Sequence, residues 1–198
     1  MTNKNLAAVI TVLLLSACVT VPKDHFYTLD AISSPGPVVK GAPRYRIAVG
    51  PVHVPEIVDR PEMVIRQGPN RVKVLEEHRW AQSLKNGIAH VLAADLDMQL
   101  DDAQATSAED YASRNANYRI TVDIERFDAM PADAVAVDAM WTIFDSGGKS
   151  LKTGRSAAQE PVRGNDFAAV AAAYSRALSS IAKDIGNVMQ SSNAASFK

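Results

Sequence analysis

The segment that decides the fold is "YRITVDIE", residues 118–125. Apolar residues at the even positions alternate with polar or charged residues at the odd positions, a period of two that predicts a strand with one buried face. The same period returns over residues 135–143. After the turn-forming "DSGG" of residues 145–148, residues 151–158 return as a third strand. The sequence therefore predicts an antiparallel meander.

Two helical patterns flank this meander. Apolar residues recur every three or four positions in a helix predicted over residues 81–100, and again from Phe167 to Val188. Asn165 or Asp166 is predicted as the N-cap of the second helix. Two amphipathic helices packed on one face of a mostly antiparallel sheet would bury both stripes, so the predicted fold class is α/β, of the α+β type.

Asp95 interrupts the apolar stripe of the first helix. A carboxylate in such a stripe is usually found at the wet edge or paired with a cation. Both arrangements are considered for Asp95.

Shorter strands are predicted before the first helix. "FYTL", residues 26–29, is rich in aromatic and β-branched residues. Residues 45–49 alternate as a strand that Pro51 and Pro55 are expected to end. The proline- and glycine-containing residues 30–44 between these strands are predicted to form a linker or loop.

"MVIRQGPNRVKVL", residues 63–75, predicts a β-hairpin around a loop at residues 67–70. Pro61 just before it indicates an edge strand or the start of a strand, because proline donates no ladder hydrogen bond. The polar residues 101–116 are predicted to be mostly loop.

Composition limits the classes of function. The 198 residues suit one domain with its own core. Lys plus Arg is 21 and Asp plus Glu is 22, a net charge of -1 that gives no basic field for nucleic acid. The single cysteine excludes an intramolecular disulfide and a multi-thiolate zinc site.

That cysteine, Cys18, follows a short apolar segment. Lys4 supplies a positive start, residues 6–15 are apolar, and the small Ser16 and Ala17 precede the cysteine. These features are typical of a secretory signal peptide. About ten apolar residues are too few to span a bilayer, which needs about 20.

"LSAC", residues 15–18, resembles the bacterial lipobox. The resemblance implies that residues 1–17 are removed and that Cys18 is acylated, with chains such as palmitate. Val19 stands where an aspartate would imply inner-membrane retention, so the implied location is the periplasmic face of the outer membrane. Residues 18–25 would then be a tether reaching at most about 28 Å, and residues 26–198 a single periplasmic domain.

No catalytic, metal-binding or cofactor-binding pattern emerges from the sequence. The four histidines do not stand at zinc-ligand spacing; they are His25, His53, His78 and His90. "GGKS", residues 147–150, lacks the first glycine of a phosphate loop and lies between predicted strands. "GRSAA", residues 154–158, is a poor match to a nucleophile elbow.

The charged segment "PEIVDRPEMVIR", residues 55–66, has two interpretations. Asp59 and Arg60 either lie in solvent at a sheet edge and protect it from pairing with another strand, or they face a partner protein. Trp80, expected at the start of the first helix, is assigned to the core, with a place in a subunit interface as the alternative.

Several stretches, in order, resemble the ABC-type transport auxiliary lipoproteins, the family that includes paraquat-inducible protein C. They are the lipobox, "FYTL", "IAVGPVHVPEIVDRPEMVIR", "LEEHRWAQSLKNGIAHVLAADL", "YRITVDIERFD" and the predicted C-terminal helix. The resemblance implies a homo-oligomeric, non-enzymatic outer-membrane lipoprotein that supports membrane integrity. It would dock the tunnel protein of a mammalian-cell-entry (MCE) type lipid transporter.

Two alternatives to that role are considered. One is an envelope-structural or assembly lipoprotein that binds another outer-membrane protein or the cell wall. The other, ranked last, is a lipid-anchored hydrolase, which no residue pattern in the sequence supports.

Overall fold

The computed structural model describes residues 23–32 and 41–193. Its strands and helices are numbered here in chain order. They are β1 His25–Tyr27, β2 Tyr45–His53, β3 Glu62–Gly68, β4 Arg71–Trp80, α1 Leu84–Gln99, β5 Ala103–Ser107, β6 Tyr118–Met130, β7 Ala134–Asp145, β8 Ser150–Pro161 and α2 Phe167–Asn193. Two short 3₁₀ helices, Glu56–Val58 and Tyr111–Asn115, lie in connections.

Five strands form the larger sheet, in the order β5-β2-β6-β7-β8. Strands β6, β7 and β8 are the predicted antiparallel meander, with Tyr118 opposite Asp145 at one end and Met130 opposite Ala134 at the other. β2 is parallel to both of its neighbours. The sheet is therefore mixed, although its long ladders are antiparallel.

The prediction of a loop over residues 101–116 was wrong, because β5 and a 3₁₀ helix lie there. In the strand sequence "AQATS", only Thr106 is of a residue type that is enriched in strands. The strand pairs with β2, and Asp97 Oδ1 accepts a 2.9 Å hydrogen bond from the Ala105 N–H. Tertiary contacts, not local preference, make this segment a strand.

Both helices lie on the same face of the larger sheet. α1 packs over β2 and β5, α2 packs over β7 and β8, and the helices contact each other. Their predicted apolar stripes are buried, including Ile88 and Leu92 of α1 and Leu178 of α2. Asp166 Oδ1 caps α2 by accepting a 2.8 Å hydrogen bond from the Ala169 N–H. The predicted α+β fold class is confirmed.

The smaller sheet has three strands in the order β1-β4-β3. β3 and β4 form the predicted hairpin, and Pro61 immediately precedes the edge strand β3. Trp80 ends β4 and does not begin a helix. The chain stays extended there because the Trp80 N–H donates to the Pro61 carbonyl and the Ala81 N–H donates to the Tyr27 carbonyl, so α1 begins only at Leu84.

Pro51 does not end β2, contrary to the prediction. The strand continues to His53 through a register shift between Val49 and Val52. A proline is tolerated at such an irregularity because the ladder hydrogen bonds are already interrupted. Gly50 supplies the positive φ of 126° that the irregularity requires.

The two sheets meet at an aromatic cluster. The Phe127 ring of β6 stacks on Tyr174 of α2 at 3.9 Å between centroids. Trp80 of β4 contacts both rings edge-on, at 6.4 and 6.1 Å. Beside them, Arg66 of β3 forms a 2.8 Å ion pair with Asp128 of β6. The smaller sheet is thus joined to the larger one by this cluster, by this ion pair and by the apolar core that Met63, Ile65 and Leu75 share with the larger sheet.

Candidate docking surface

The structure brings Asp59, Arg60 and Trp80 together around one shallow pocket. This Trp80 pocket, of about 330 Å³, is completed by Pro61, Gln82, Ser83 and Leu84. Asp59 and Arg60 follow the 3₁₀ helix Glu56–Val58, whose Val58 is buried. The buried valine holds the charged pair at the mouth of the pocket.

The two charged residues differ in what they contact. Asp59 Oδ2 lies 2.9 Å from Lys85 Nζ of α1, with both side chains about half exposed. Arg60 is exposed and has no ion-pair partner within the described residues. Trp80 is only 7% exposed, so most of its ring belongs to the aromatic cluster. Arg60 is the group of the three most available to a partner.

Residues 23–32, which we call the strap, run across both helices. Leu29 is buried next to Gly87 of α1. The Asp30 N–H then donates to Ser175 Oγ of α2 at 3.1 Å. The Ile32 N–H donates to Asp95 Oδ1 of α1 at 3.1 Å. The strap is therefore joined to each helix by a side-chain hydrogen bond as well as by apolar packing.

Asp95 occupies neither of the environments considered from the sequence. It is 6% exposed, so it is not at a wet edge. Its Oδ1 accepts a hydrogen bond from the Ile32 N–H, and no ion pair joins it to a cation among the residues that the structure describes. Within the described residues its Oδ2 has no hydrogen-bond partner. Burial raises the pKa of Asp95, against the opposing effects of the Ile32 N–H and the Ser179 hydroxyl. Asp95 thus joins the strap to α1 through one hydrogen bond.

Aromatic and imidazole rings fasten β1 to its surroundings. Tyr27 Oη and His78 Nδ1 are 2.7 Å apart. The His78 ring also stacks on His25 and lies 4.2 Å from Phe167 at the start of α2. Burial lowers the pKa of His78, and the neighbouring His25 lowers it further, while Glu77 opposes both. The first strand is therefore packed against β4 and α2.

A mainly apolar groove of about 540 Å³ runs between the strap and α2. Phe26 and Ile32 on its strap side are 63% and 49% exposed, and Ala168 and Ala172 lie on its helix side. Few sequence features indicated this arrangement. Ser175, a serine among the apolar positions of α2, is the one residue whose place could have pointed to a contact there.

Cys18 and the predicted signal peptide lie outside the described residues, as does most of the predicted tether. The domain boundaries at residues 17 and 25 therefore stay predictions. Within the described residues, neither helix has the length and hydropathy of a membrane span. The same residues hold no group of three potential metal ligands.

Several solved structures share this fold. A protein described as uncharacterized has a TM-score of 0.68 at 14% identity, over 84% of this chain and 99% of its own. Protein XCC0632 from Xanthomonas campestris has a TM-score of 0.65 at 19% identity, over 83% and 94% of the two chains. Identities this low are evidence for the fold alone. A search of curated proteins gives no match.

The sequence comparison identifies the family. The model for the ABC-type transport auxiliary lipoprotein component matches residues 27–186. That range begins at Tyr27 in β1 and ends in α2, so it includes both sheets and both helices. The chain therefore belongs to the ABC-type transport auxiliary lipoprotein family.

Proposed function

We propose that this protein is a non-enzymatic outer-membrane lipoprotein that docks the tunnel protein of an MCE-type lipid transporter. The ATPase and membrane-spanning subunits would be other chains. The observation that carries the proposal is the family match over residues 27–186, which makes the chain an auxiliary component of an ABC-type transport system. Homo-oligomerisation, attachment through acylated Cys18 and support of membrane integrity belong to the same proposal.

The strap supports an anchoring role. A lipid on Cys18 would lie seven positions before His25, the first residue of β1 (25 minus 18), a reach of at most about 25 Å. Force on that tether would pass first to β1 and then to the contacts of Asp30 and Ile32 with the two helices. A segment held at both ends of its course suits a subunit that fixes a large partner to the membrane.

The Trp80 pocket is the proposed contact for the tunnel protein. It combines a small apolar floor with the exposed guanidinium of Arg60. Tryptophan and arginine are the residue types most often found to dominate binding energy in protein interfaces. Because Asp59 is already paired with Lys85, the unpaired charge at the Trp80 pocket is the positive charge of Arg60.

The test is a pull-down with the purified chain lacking residues 1–18 and an MCE-domain protein from the same organism. We expect the two proteins to co-elute. Arg60→Glu should weaken the complex, since reversing a charge in an interface replaces attraction with repulsion and lowers the affinity. Complete separation of the wild-type proteins at high concentration would contradict the proposal.

Arg71→Glu is the matched control. Arg71 is also exposed and lies in the hairpin of the same small sheet, away from the pocket. Equal weakening by both substitutions would indicate a general charge effect and would remove the Trp80 pocket from the proposal. A neighbouring gene set without MCE or ABC components would favour the envelope-structural alternative.

A further inference from the structure

A second cleft, of about 430 Å³, lies at the opposite end of the larger sheet from the aromatic cluster. Arg114 lines it from the 3₁₀ helix, Arg119 and Thr121 from β6, and Phe144 and Asp145 from the end of β7. We call it the arginine cleft. None of the sequence patterns above pointed to it.

The cationic groups of the arginine cleft are only partly balanced by acidic groups. Arg114 and Arg119 are exposed, and neither has an ion-pair partner within the described residues. Asp145, the one carboxylate among the described lining residues, accepts hydrogen bonds from the adjacent turn. Its Oδ1 accepts 2.9 Å hydrogen bonds from the Gly147 and Lys149 N–H groups. The cleft therefore presents two guanidinium groups against one carboxylate, an excess of one positive charge among its described lining residues.

Hydrogen bonds in the 3₁₀ helix and a ring contact orient Arg114. Ser113 Oγ donates to the carbonyls of Ala108 and Asp110, at 2.9 and 2.8 Å, which closes the 3₁₀ helix. The Arg114 guanidinium carbon lies 4.5 Å from the centroid of the Tyr111 ring, at a distance typical of a cation–π contact. Because the arginine is stacked in place, less side-chain entropy is lost when it binds an anion.

Aromatic surface accompanies the charge. Tyr111 is 80% exposed, and Phe144 lies directly opposite Arg119 in the β6–β7 ladder. An inorganic anion or a phosphate alone would use the guanidinium groups and leave these rings in water. A peptide that carries carboxylates next to apolar side chains would use both.

We propose that the arginine cleft binds an acidic segment of a partner protein, with carboxylates on Arg114 and Arg119 and apolar side chains against Tyr111 and Phe144. The choice of a protein over a lipid surface rests on the proposed function. If Cys18 is acylated, β1 and the start of α2 form the anchored end of the domain. Arg119 lies roughly 25 Å along β6 from Phe127 at that end, away from the point of attachment.

The chemistry is tested first without the transporter. The probe is a fluorescein-labelled ten-residue peptide of alternating glutamate and leucine, with a glutamine–leucine peptide as its neutral counterpart. We expect the glutamate peptide to bind and the double variant Arg114→Glu/Arg119→Glu to lose about tenfold or more in affinity, because two charge-assisted hydrogen bonds are removed. Arg163→Glu, at an exposed arginine of the β8–α2 loop, should bind as the wild type does.

Three results would overturn the proposal. They are the absence of peptide binding, equal binding of the glutamine peptide, and an equal loss in the Arg163→Glu control. Phosphatidylglycerol vesicles form the second arm. Binding to vesicles that needs Arg114 and Arg119, without binding to the peptide, would make the cleft a lipid site and also contradict the proposal. Circular dichroism of the double variant checks that it is folded.

The MCE-domain protein is then used as the binding partner. Peptide binding without capture of that protein would retain the cleft and reject the proposed function. Capture that is insensitive to Arg114→Glu/Arg119→Glu would retain the proposed function and place the acidic segment on a different partner. The two proposals can therefore fail separately.

Discussion

The larger sheet with its two helices and the smaller sheet with the strap are held together in different ways. The first region has long ladders between β6, β7 and β8 and supplies most of the apolar core. The second adds Met63, Ile65 and Leu75 to the same core and is further joined to the first by the aromatic cluster, one ion pair and the contacts of the strap. The comparison indicates that the first region determines the fold and that the second connects the fold to the tether.

Removing the joint between the two regions should have the largest effect. Trp80→Ala deletes a buried ring from the cluster with Phe127 and Tyr174. Large-to-small aromatic substitutions of this kind cost about 3–5 kcal/mol, so we expect that loss in urea unfolding. Phe26→Ala, at an aromatic residue that is 63% exposed, is the control and should cost under about 1 kcal/mol. A similar small loss for Trp80→Ala would mean that the regions do not depend on this cluster.

Gly154→Ala probes the first region alone. A methyl group on Gly154 of β8 would clash with the indole ring of Trp141 on β7, and overpacking a core costs about 1–3 kcal/mol. We expect a lower urea midpoint with an unchanged slope. Gly68→Ala is the matched control, because a methyl group there meets no atom within 4 Å. Equal stability of the two variants would show that the meander tolerates rearrangement.

Asp95 tests how the strap is held. Asp95→Leu removes the acceptor of the Ile32 N–H, and an unpaired buried donor costs about 1–3 kcal/mol. Asp95→Asn keeps an acceptor and should be at least as stable as wild type at pH 7. The pKa of Asp95 is raised above 3.8 in the folded state. The contribution of the protonated Asp95 side chain to folding stability is therefore present at lower pH and lost as pH rises through that pKa.

The measurement for the Asp95 pair is hydrogen exchange of the Ile32 amide together with urea unfolding. Faster exchange in Asp95→Leu and wild-type exchange in Asp95→Asn are expected. Equal destabilisation by leucine and asparagine would mean that charge, and not the hydrogen bond, is what the position requires.

Removing the Arg66–Asp128 ion pair between the sheets should have the smallest effect on the free energy of unfolding. Burial raises the pKa of Asp128, but hydrogen bonds and charge from Arg66 and Arg126 outweigh burial and hold that pKa below 3.8. The resulting stabilisation is present above the unfolded pKa and is lost as pH falls through the folded one.

Asp128→Asn should therefore cost about 1 kcal/mol at pH 7, since the arginines are partly exposed. The difference from wild type should shrink in strong acid, as followed by thermal unfolding between pH 7 and pH 2. Asp123→Asn, at an exposed position of the same strand, is the control. A difference that stays constant with pH would exclude the charge as its cause.

These differences also explain what the sequence could predict. Periods of two and 3.6 are repeated many times in β6 and α2, so those elements and the fold class were predicted correctly. β5 and the position of Trp80 were not, because both depend on hydrogen bonds to distant chain segments. Asp95 could be singled out as unusual, but its backbone partner 63 positions away could not be foreseen.

The candidate sites were predictable to different degrees. Asp59, Arg60 and Trp80 were named from composition, and the fold brings them to one pocket. Arg114 and Arg119 lie in and beside a segment that looked like a polar loop, and only the folded chain brings them next to Phe144. The assignment of Cys18 as the acylated residue rests on the lipobox resemblance alone.

The most direct test of the central claim is density separation of inner and outer membranes after cross-linking, in cells that carry wild-type protein or Cys18→Ser. We predict that the wild-type chain bands with the outer membrane and carries the cross-linked MCE-domain protein with it. Cys18→Ser should lose that band. A wild-type chain that bands with the inner membrane, or a Cys18→Ser variant that still bands with the outer membrane, would contradict the account.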